Sequence, residues 1–424
     1  MAKTITGKQV GDSYYQVEHP SGLTVLLYPK EHCSTTYAIF GTRYGSIDNC
    51  FQRSDEAGPE SVPEGIAHYL EHKLFESEEG DAFERFSKTG ASANAFTSFE
   101  STCYLFSTTD QVYQSLEILL DFVQSPYFTE ETVRKEQGII GQEIKMYDDD
   151  PQWRVMFNYL KAMYHSHPIR EDIAGTVESI AKITPELLYR CYNTFYNLGN
   201  MVLAIAGNFQ VDKALAVCDK MLKPAAPVTV QRVFPQERDT IVQPVVEERL
   251  SVASPLFQFG FKEPGADQPR SEKDVAATEV LLETLASDAS PLFRRLLDQG
   301  LVNESSFSYE YFEGNGYATV MFSGESKDPQ AVAQAILEEV ERFQREGIPA
   351  EAFERSKRAL YGELVAALNS TGSIANGLVN MHLKGRELFT YIDSLASLRL
   401  EDGEERLRKV FQRERSVLSV ILPH

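Results

Sequence analysis

Two widely separated stretches of this chain follow the same plan. Near its middle, ITPELLYRCYNTFYN (residues 183–197) reads as an amphipathic helix and runs into the apolar strand NMVLAIAG (200–207). Near its end, DGEERLRKVFQRE (402–414) runs into SVLSVILP (416–423) in the same way. Each half also opens on strands: GLTVLLYPK (22–30) and TYAIFGTRYG (36–45) in the first, PLFQFGFKE (255–263) in the second. Strand runs with segregated helices predict an α+β fold. We therefore expect two homologous-looking domains, each an antiparallel-rich sheet with helices packed on one face. The 424-residue length suits two cores better than one. Between the halves, KPAAPVTVQRVFPQERDTIVQPVVEE (223–248) carries four prolines and little helical period. It reads as an extended linker, giving domains at 1–222 and 249–424. Long helices are predicted at 110–125, 129–148, 328–346, 350–369 and 374–396, none with the sustained heptads of a coiled coil.

Composition narrows the partners. The formal charge of −21 repels nucleic-acid phosphates, so no nucleic-acid partner is expected. Cationic substrates are compatible with it, although an acidic surface more commonly serves solubility. The five cysteines are scattered, with no C-x-x-C pair, which fits a reducing compartment. No apolar run approaches a membrane span, and the first residues lack an apolar signal core. The expectation is a cytoplasmic protein with no membrane partner.

The stretch GIAHYLEHKLFE (65–76) raises the question of chemistry. Upstream, Ser61 and Glu64 have capping-box spacing with Pro63 in the first turn, predicting a helix from about residue 62. Ile66, Leu70 and Leu74 supply its apolar stripe. His68 and His72 are one turn apart and share a face with Glu71. Two imidazoles with a nearby carboxylate base suit a zinc site in the order H-x-x-E-H. The simpler reading is a solvated polar face.

A zinc site needs a third protein ligand. The segment FTEETVRKEQGIIGQEIKMYDDDP (128–151) offers Glu136 and Glu143, seven residues apart and so on nearly one helix face. Thr129 is its N-cap, and Phe128 with Val133 forms a hydrophobic staple. Gly138 and Gly141 interrupt this helix, for which close approach of another helix is one reason. GASANAFTSFESTCYLF (90–106) reads as two strands around a turn near residues 97–100.

Taken together, His68-x-x-Glu71-His72, the later Glu136 and Glu143, and the stretches EHKLFE, GASANAFTSFESTCYLF and QGIIGQEIKMYDDDP resemble the pitrilysin or insulinase family of zinc peptidases, the inverzincins. The likeness is greatest to half-size bacterial members related to the mitochondrial processing peptidase. It implies that His68, His72 and Glu143 ligate Zn2+ and that Glu71 is the general base. Glu136 would orient a ligand or hold the site electrostatically. Ala93, Asn94 and Ala95 would line an edge strand that pairs with the substrate backbone, a plain core hairpin being the alternative. The expected activity is that of a zinc metalloendopeptidase cutting peptides or unfolded segments inside a closed two-subunit chamber. The C-terminal domain would contribute to the chamber and to subunit contacts.

One part of the family pattern is missing. Active members usually carry S-x-L-F-x-x-L-R-E-x-x-G-L-A-Y in the second half, whose Arg and Tyr contact substrate. Here SPLFRRLLDQGLVNES (290–305) keeps Ser290, Leu292, Phe293, Gly300 and Leu301 but puts Leu297 and Asn303 at or beside the Arg and Tyr positions. Arg294, Arg295, Tyr309 and Tyr311 are close but out of register. A homologous partner subunit could supply the pair in a heterodimer, or neighbours could substitute in a homodimer. A non-catalytic structural or chaperone-like subunit of the same fold is the alternative function. His165 and His167 in YHSHP (164–168) read as a structural loop, and Trp153 as a packing residue.

Overall fold

The computed structural model describes residues 2–424 apart from 79, 225, 227 and 266. Its contacts divide the chain into two units.

The first unit is built on a seven-stranded sheet. In spatial order its strands are Lys3–Gly7, Asp12–Glu18, Thr24–Pro29, Met201–Gly207, Thr36–Thr42, Thr102–Thr108 and Ser92–Thr97. Only Thr24–Pro29 and Met201–Gly207 pair in parallel; the other neighbours are antiparallel. Met201–Gly207 is buried at every position, as a central strand covered on both faces must be. The second unit has a five-stranded sheet: Val245–Leu250, Ser416–Pro423, Leu256–Lys262, Tyr317–Glu325 and Ser308–Gly314. Here too the first two strands pair in parallel and the rest antiparallel.

This five-strand order repeats the last five strands of the first sheet, direction for direction. The helices repeat as well. Ile66–Leu74 and Ala82–Thr89 precede the hairpin of the first unit, and Glu272–Ala286 and Pro291–Asp298 precede that of the second. The expected duplication in an α+β fold is therefore present in the topology.

The contacts do not split the chain as its prolines suggest. The first unit comprises Met1–Ile144, Glu171–Val233 and Val365–Phe389; the second comprises Lys145–Arg170, Phe234–Leu364 and Thr390–His424. The expected division at 1–222 and 249–424 is corrected accordingly. Residues 223–248 are also more than a linker, because Val230–Arg232 pairs with Cys50–Arg53 and Val245–Leu250 begins the second sheet. Each unit thus takes one helix from the other half of the sequence. Thr371–Leu383 packs on Met201–Gly207 and Thr36–Thr42, while Pro151–Met163 packs on Ser416–Pro423 and Leu256–Lys262. A glycine admits each of them. A Cβ on Gly41 would lie 2.9 Å from Val379 Cγ1, and one on Gly260 would lie 2.3 Å from the Tyr159 hydroxyl.

The long helices appear as Val112–Val123, Glu130–Asp148, Pro329–Glu346 and Ala350–Ala367. The stretch read as one helix over 374–396 is two, Thr371–Leu383 and Leu388–Ala396, parted at Gly385 with φ +71°. Trp153 stacks on Tyr147 at 4.6 Å between centroids, as a packing residue. In the 164–168 loop the N–H groups of His165, Ser166 and His167 all donate to the Glu237 carboxylate, which confirms its structural character. His167 accepts from the Ile169 N–H at Nδ1 and reaches the Asn315 carbonyl with Nε2 at 3.0 Å.

Candidate metal centre

The first unit contains every residue expected at the site. The histidine helix runs Ile66–Leu74, and its start differs from the sequence expectation. Ser61 does not cap it. That residue lies in the strand Glu60–Ser61, paired with Cys50. The N-cap is Gly65, with φ 86° and no side-chain cap bond. A Cβ there would lie 2.3 Å from the Ala174 carbonyl oxygen, so the close approach of the 174–175 backbone excludes any side chain. Ser179 Oγ donates to the Glu64 carbonyl at 2.9 Å and holds the junction. Ile66, Leu70 and Leu74 are buried, which turns the polar face inward to a second helix.

That second helix is Glu130–Asp148, the carboxylate helix. The Thr132 N–H donates to Thr129 Oγ1 at 3.2 Å, as the N-cap reading requires, and Phe128 and Val133 are both buried. Ile140 and Ile144 anchor it, and the Tyr69 hydroxyl donates to the Val133 carbonyl, tying the helices together. Gly138 and Gly141 do not serve close packing. A Cβ at either would meet nothing within 4 Å, so the expected helix–helix approach is absent there.

Across this junction three groups converge. His68 Nε2 and His72 Nε2 are 3.2 Å apart, and the Glu143 carboxylate oxygens lie 3.7 Å from the first and 3.4 Å from the second. All three ligand atoms fall within 4.8 Å of one another. A tetrahedral zinc ion at its normal bond lengths spaces its ligand atoms about 3.3 Å apart, so the set fits such an ion and leaves the fourth position open. Oxygen and imidazole donors crowded at this distance repel one another unless a proton or cation lies between them. The other nitrogen of His72 is used as well: Nδ1 lies 3.1 Å from Glu136 Oε1. Donation from Nδ1–H to that carboxylate leaves Nε2 a bare lone pair facing the cluster. His68 Nδ1 is buried with no hydrogen-bond partner among the described residues.

The electrostatics follow from burial and these pairings. Burial is the largest influence on His68 and, with His72 beside it, pushes its pKa down to about 4. Burial also acts against the charge on His72, but the Glu136 hydrogen bond and the carboxylates of Glu71 and Glu143 outweigh it and raise the net value. Burial pushes the Glu136 carboxyl upward, yet the bond from His72 brings it below the usual range. Glu71 is raised by burial, partly offset by a hydrogen bond from Thr97 and by His72. A carboxyl raised in this way is the better proton carrier near neutral pH.

The hairpin places Ala93, Asn94 and Ala95 on Ser92–Thr97. That strand is the last of the sheet and pairs only with Thr102–Thr108 among the described residues. Its residues alternate, with Ala93, Ala95 and Thr97 half-buried and Ser92, Asn94 and Phe96 exposed. Asn94 thus faces away from Ala93 and Ala95, and its Oδ1 accepts from the Ala95 N–H at 2.9 Å. Thr97 was not singled out from the sequence. Its hydroxyl donates to Glu71 Oε2 at 2.7 Å, and the two-residue period from Ala93 through Ala95 was the available signal. The substitutes considered for the missing Arg and Tyr are occupied in the second unit. Arg295 donates to the Ala335 carbonyl at 2.9 Å, Tyr309 to Glu283 and Tyr311 to Glu263; Arg294 pairs with Asp298 at the surface.

Such a pair of helices, closing an H-x-x-E-H face on a distant glutamate, brings together side chains that could hold a metal ion on a duplicated α+β fold. The model of the insulinase family, peptidase family M16, matches residues 60–177, and that of the M16 inactive domain matches residues 182–360. The uncharacterised zinc protease YmfH of Bacillus subtilis is 39% identical over the whole of both chains. A crystal structure of an M16-like peptidase from Alicyclobacillus acidocaldarius superposes with TM-score 0.92 at 35% identity, covering 100% of this chain and 98% of that one. The chain belongs to the pitrilysin/insulinase peptidase family, as a half-size member. Pitrilysin itself shares the fold at TM-score 0.75 and 15% identity, with 46% of its length covered.

Proposed function

We propose that this protein is a zinc-dependent endopeptidase that hydrolyses peptides or unfolded segments. The observation that carries the reading is the convergence of His68, His72 and Glu143 on one point, beside a carboxyl group raised by burial. His68, His72 and Glu143 would hold the ion, and Glu136 fixes the tautomer and orientation of His72. Zinc bound there would supply Lewis-acid polarisation of the scissile carbonyl. Glu71 accepts the proton of the attacking water and passes it to the leaving amine nitrogen. The substrate lies extended along Ser92–Thr97, whose unpaired edge offers main-chain hydrogen bonds at and around Ala93, Asn94 and Ala95. Main-chain pairing accepts many sequences and favours unfolded segments over folded proteins.

A homologous partner subunit completes a closed chamber and supplies the Arg and Tyr that residues 290–305 lack. The internal engagement of Arg295, Tyr309 and Tyr311 favours a heterodimer over a homodimer with local substitutes. The second reading, a non-catalytic subunit, rests on that same deficit and on the inactive-domain match over 182–360. We place the protein in the cytoplasm, since all five cysteines are unpaired and no helix among the described residues is long and apolar enough to cross a membrane.

The test combines zinc content with cleavage of an unfolded peptide, for wild type, His68→Ala and Glu71→Gln, each with and without candidate partner chains. We expect His68→Ala to lose zinc. Glu71→Gln should keep it and lose about 10²–10⁴-fold in kcat. Zinc bound by wild type without cleavage in any pairing selects the non-catalytic reading.

A further inference from the structure

We infer that Thr97 is a positioning residue whose hydroxyl fixes the Glu71 carboxylate and couples it to the strand on which substrate is laid. The inference rests on the peptidase reading above and goes beyond it by assigning how Glu71 is held.

Thr97 Oγ1 and Glu71 Oε2 are 2.7 Å apart. An ionised carboxylate has no hydrogen to give, so the hydroxyl donates. Among the described residues this is the one hydrogen bond to that side chain. Without it, a glutamate on a helix keeps more of its rotamer freedom, and the proton carrier is less well aimed. Threonine is a suitable holder. It is β-branched and stiff at χ1, and it closes a strand whose backbone is fixed by pairing. Its register partner is Thr102, whose Oγ1 lies 3.4 Å from Thr97 Oγ1. The Thr102 hydroxyl donates to the Tyr44 carbonyl at 2.9 Å, so it leaves the Thr97 hydrogen to Glu71.

Position completes the argument. Thr97 ends the edge strand and shares its half-buried face with Ala93 and Ala95. The side chain that aims the proton carrier is therefore on the same short strand as the residues proposed to bind peptide backbone. A strand straightened by an added partner holds its donor, and hence Glu71, in place.

The experiment compares wild type, Thr97→Val and Thr97→Ser in the fully assembled enzyme. Valine keeps the branching and removes the donor; serine keeps the donor. Thr97→Val should lower kcat by about 10–100-fold, the usual cost of removing such a support, with KM within about twofold and full zinc content. Thr97→Ser should recover most of kcat. In crystals of zinc-loaded Thr97→Val the Glu71 carboxylate should leave its wild-type rotamer. The inference is overturned by a kcat near wild type in Thr97→Val, by a serine variant as slow as valine, by a rise in KM alone, or by an unmoved Glu71. Wild type that neither binds zinc nor cleaves peptide overturns the peptidase reading itself, and the inference with it.

Discussion

In the first unit, the helix between the second central strand and the hairpin carries His68, Glu71 and His72. In the second unit, Glu272–Ala286 stands at the same place in the topology, carries no histidine and buries ten of its fifteen residues. Both units pair an interior carboxylate with arginine, Asp48 with Arg232 in the first and Glu263 with Arg406 in the second. In the second, Glu263 is 1% exposed and is met by Arg406, itself 1% exposed, through Nη1 at 3.0 Å and Nη2 at 2.5 Å, with the Tyr311 hydroxyl at 2.6 Å. Its charge is cancelled from within. In the first, the rings of His68 and His72 and the Glu143 carboxylate also face one another at 3.2–3.7 Å. Among the described residues, the group of converging side chains that could hold a metal ion is found in the first unit alone. Duplication supplied the positions, and the choice of side chains decided which copy could hold an ion.

Breaking the Glu263 network tests this comparison most severely. Arg406→Met removes the bidentate partner of Glu263, leaves it Arg270 at 3.5 Å and Lys409 at 3.7 Å, and should cost up to about 3 kcal/mol, read by denaturant unfolding. His68→Ala, compared in the presence of a chelator, should cost less, because burial keeps that ring neutral and its loss removes no partner of a buried charge. Equal losses would erase the distinction between the units.

A smaller effect concerns pH and lies in the second unit. Burial is the main cause that pushes His167 down to about 4. The folded state therefore keeps this ring neutral where the unfolded chain already binds a proton. Stability is full above about pH 6.5 and is lost as pH falls toward 4, by about 3 kcal/mol at most. The measurement is unfolding free energy at pH 7 and pH 4.5 for wild type and His167→Gln. The variant should show a shallower dependence.

The smallest expected effect is a gain. Gly138 in the carboxylate helix and Gly362 in Ala350–Ala367, its counterpart in the second unit, both face open space. Replacing either by alanine should stabilise its unit by up to about 1 kcal/mol in thermal melting. If Gly138→Ala instead destabilises, that helix needs backbone freedom which its counterpart does not.

Much of this arrangement was readable in the sequence because it is local. The i, i+4 spacing of His68 and His72 fixes a shared helix face, and the spacing of Glu136 and Glu143 does the same for the carboxylates. The misreadings arise where a distant segment decides the local geometry. Ser61 and Glu64 look like a cap, but the backbone at 174–175 forces the turn onto Gly65. The prolines of 223–248 mark a composition break, yet Val230–Arg232 and Val245–Leu250 find strand partners elsewhere. Gly385 breaks an apparently continuous helical pattern. Thr97 is an ordinary strand residue until Glu71 is brought against it. Periodicity marks a helix over 374–396, but nothing local tells which sheet buries Thr371–Leu383 or Pro151–Met163.

That last pair has a consequence for how the molecule is made. The sheet of the first unit is covered by Thr371–Leu383, and this helix leaves the ribosome long after the strands Thr24–Pro29 and Thr36–Thr42 that it helps to bury. Until then the Gly41 and Met201–Gly207 surface has no lid, and a nascent chain must wait with apolar strands exposed. Neither unit can be cut out as one continuous stretch of gene, so the unit with the histidine pair and its duplicate are inherited, truncated or lost together.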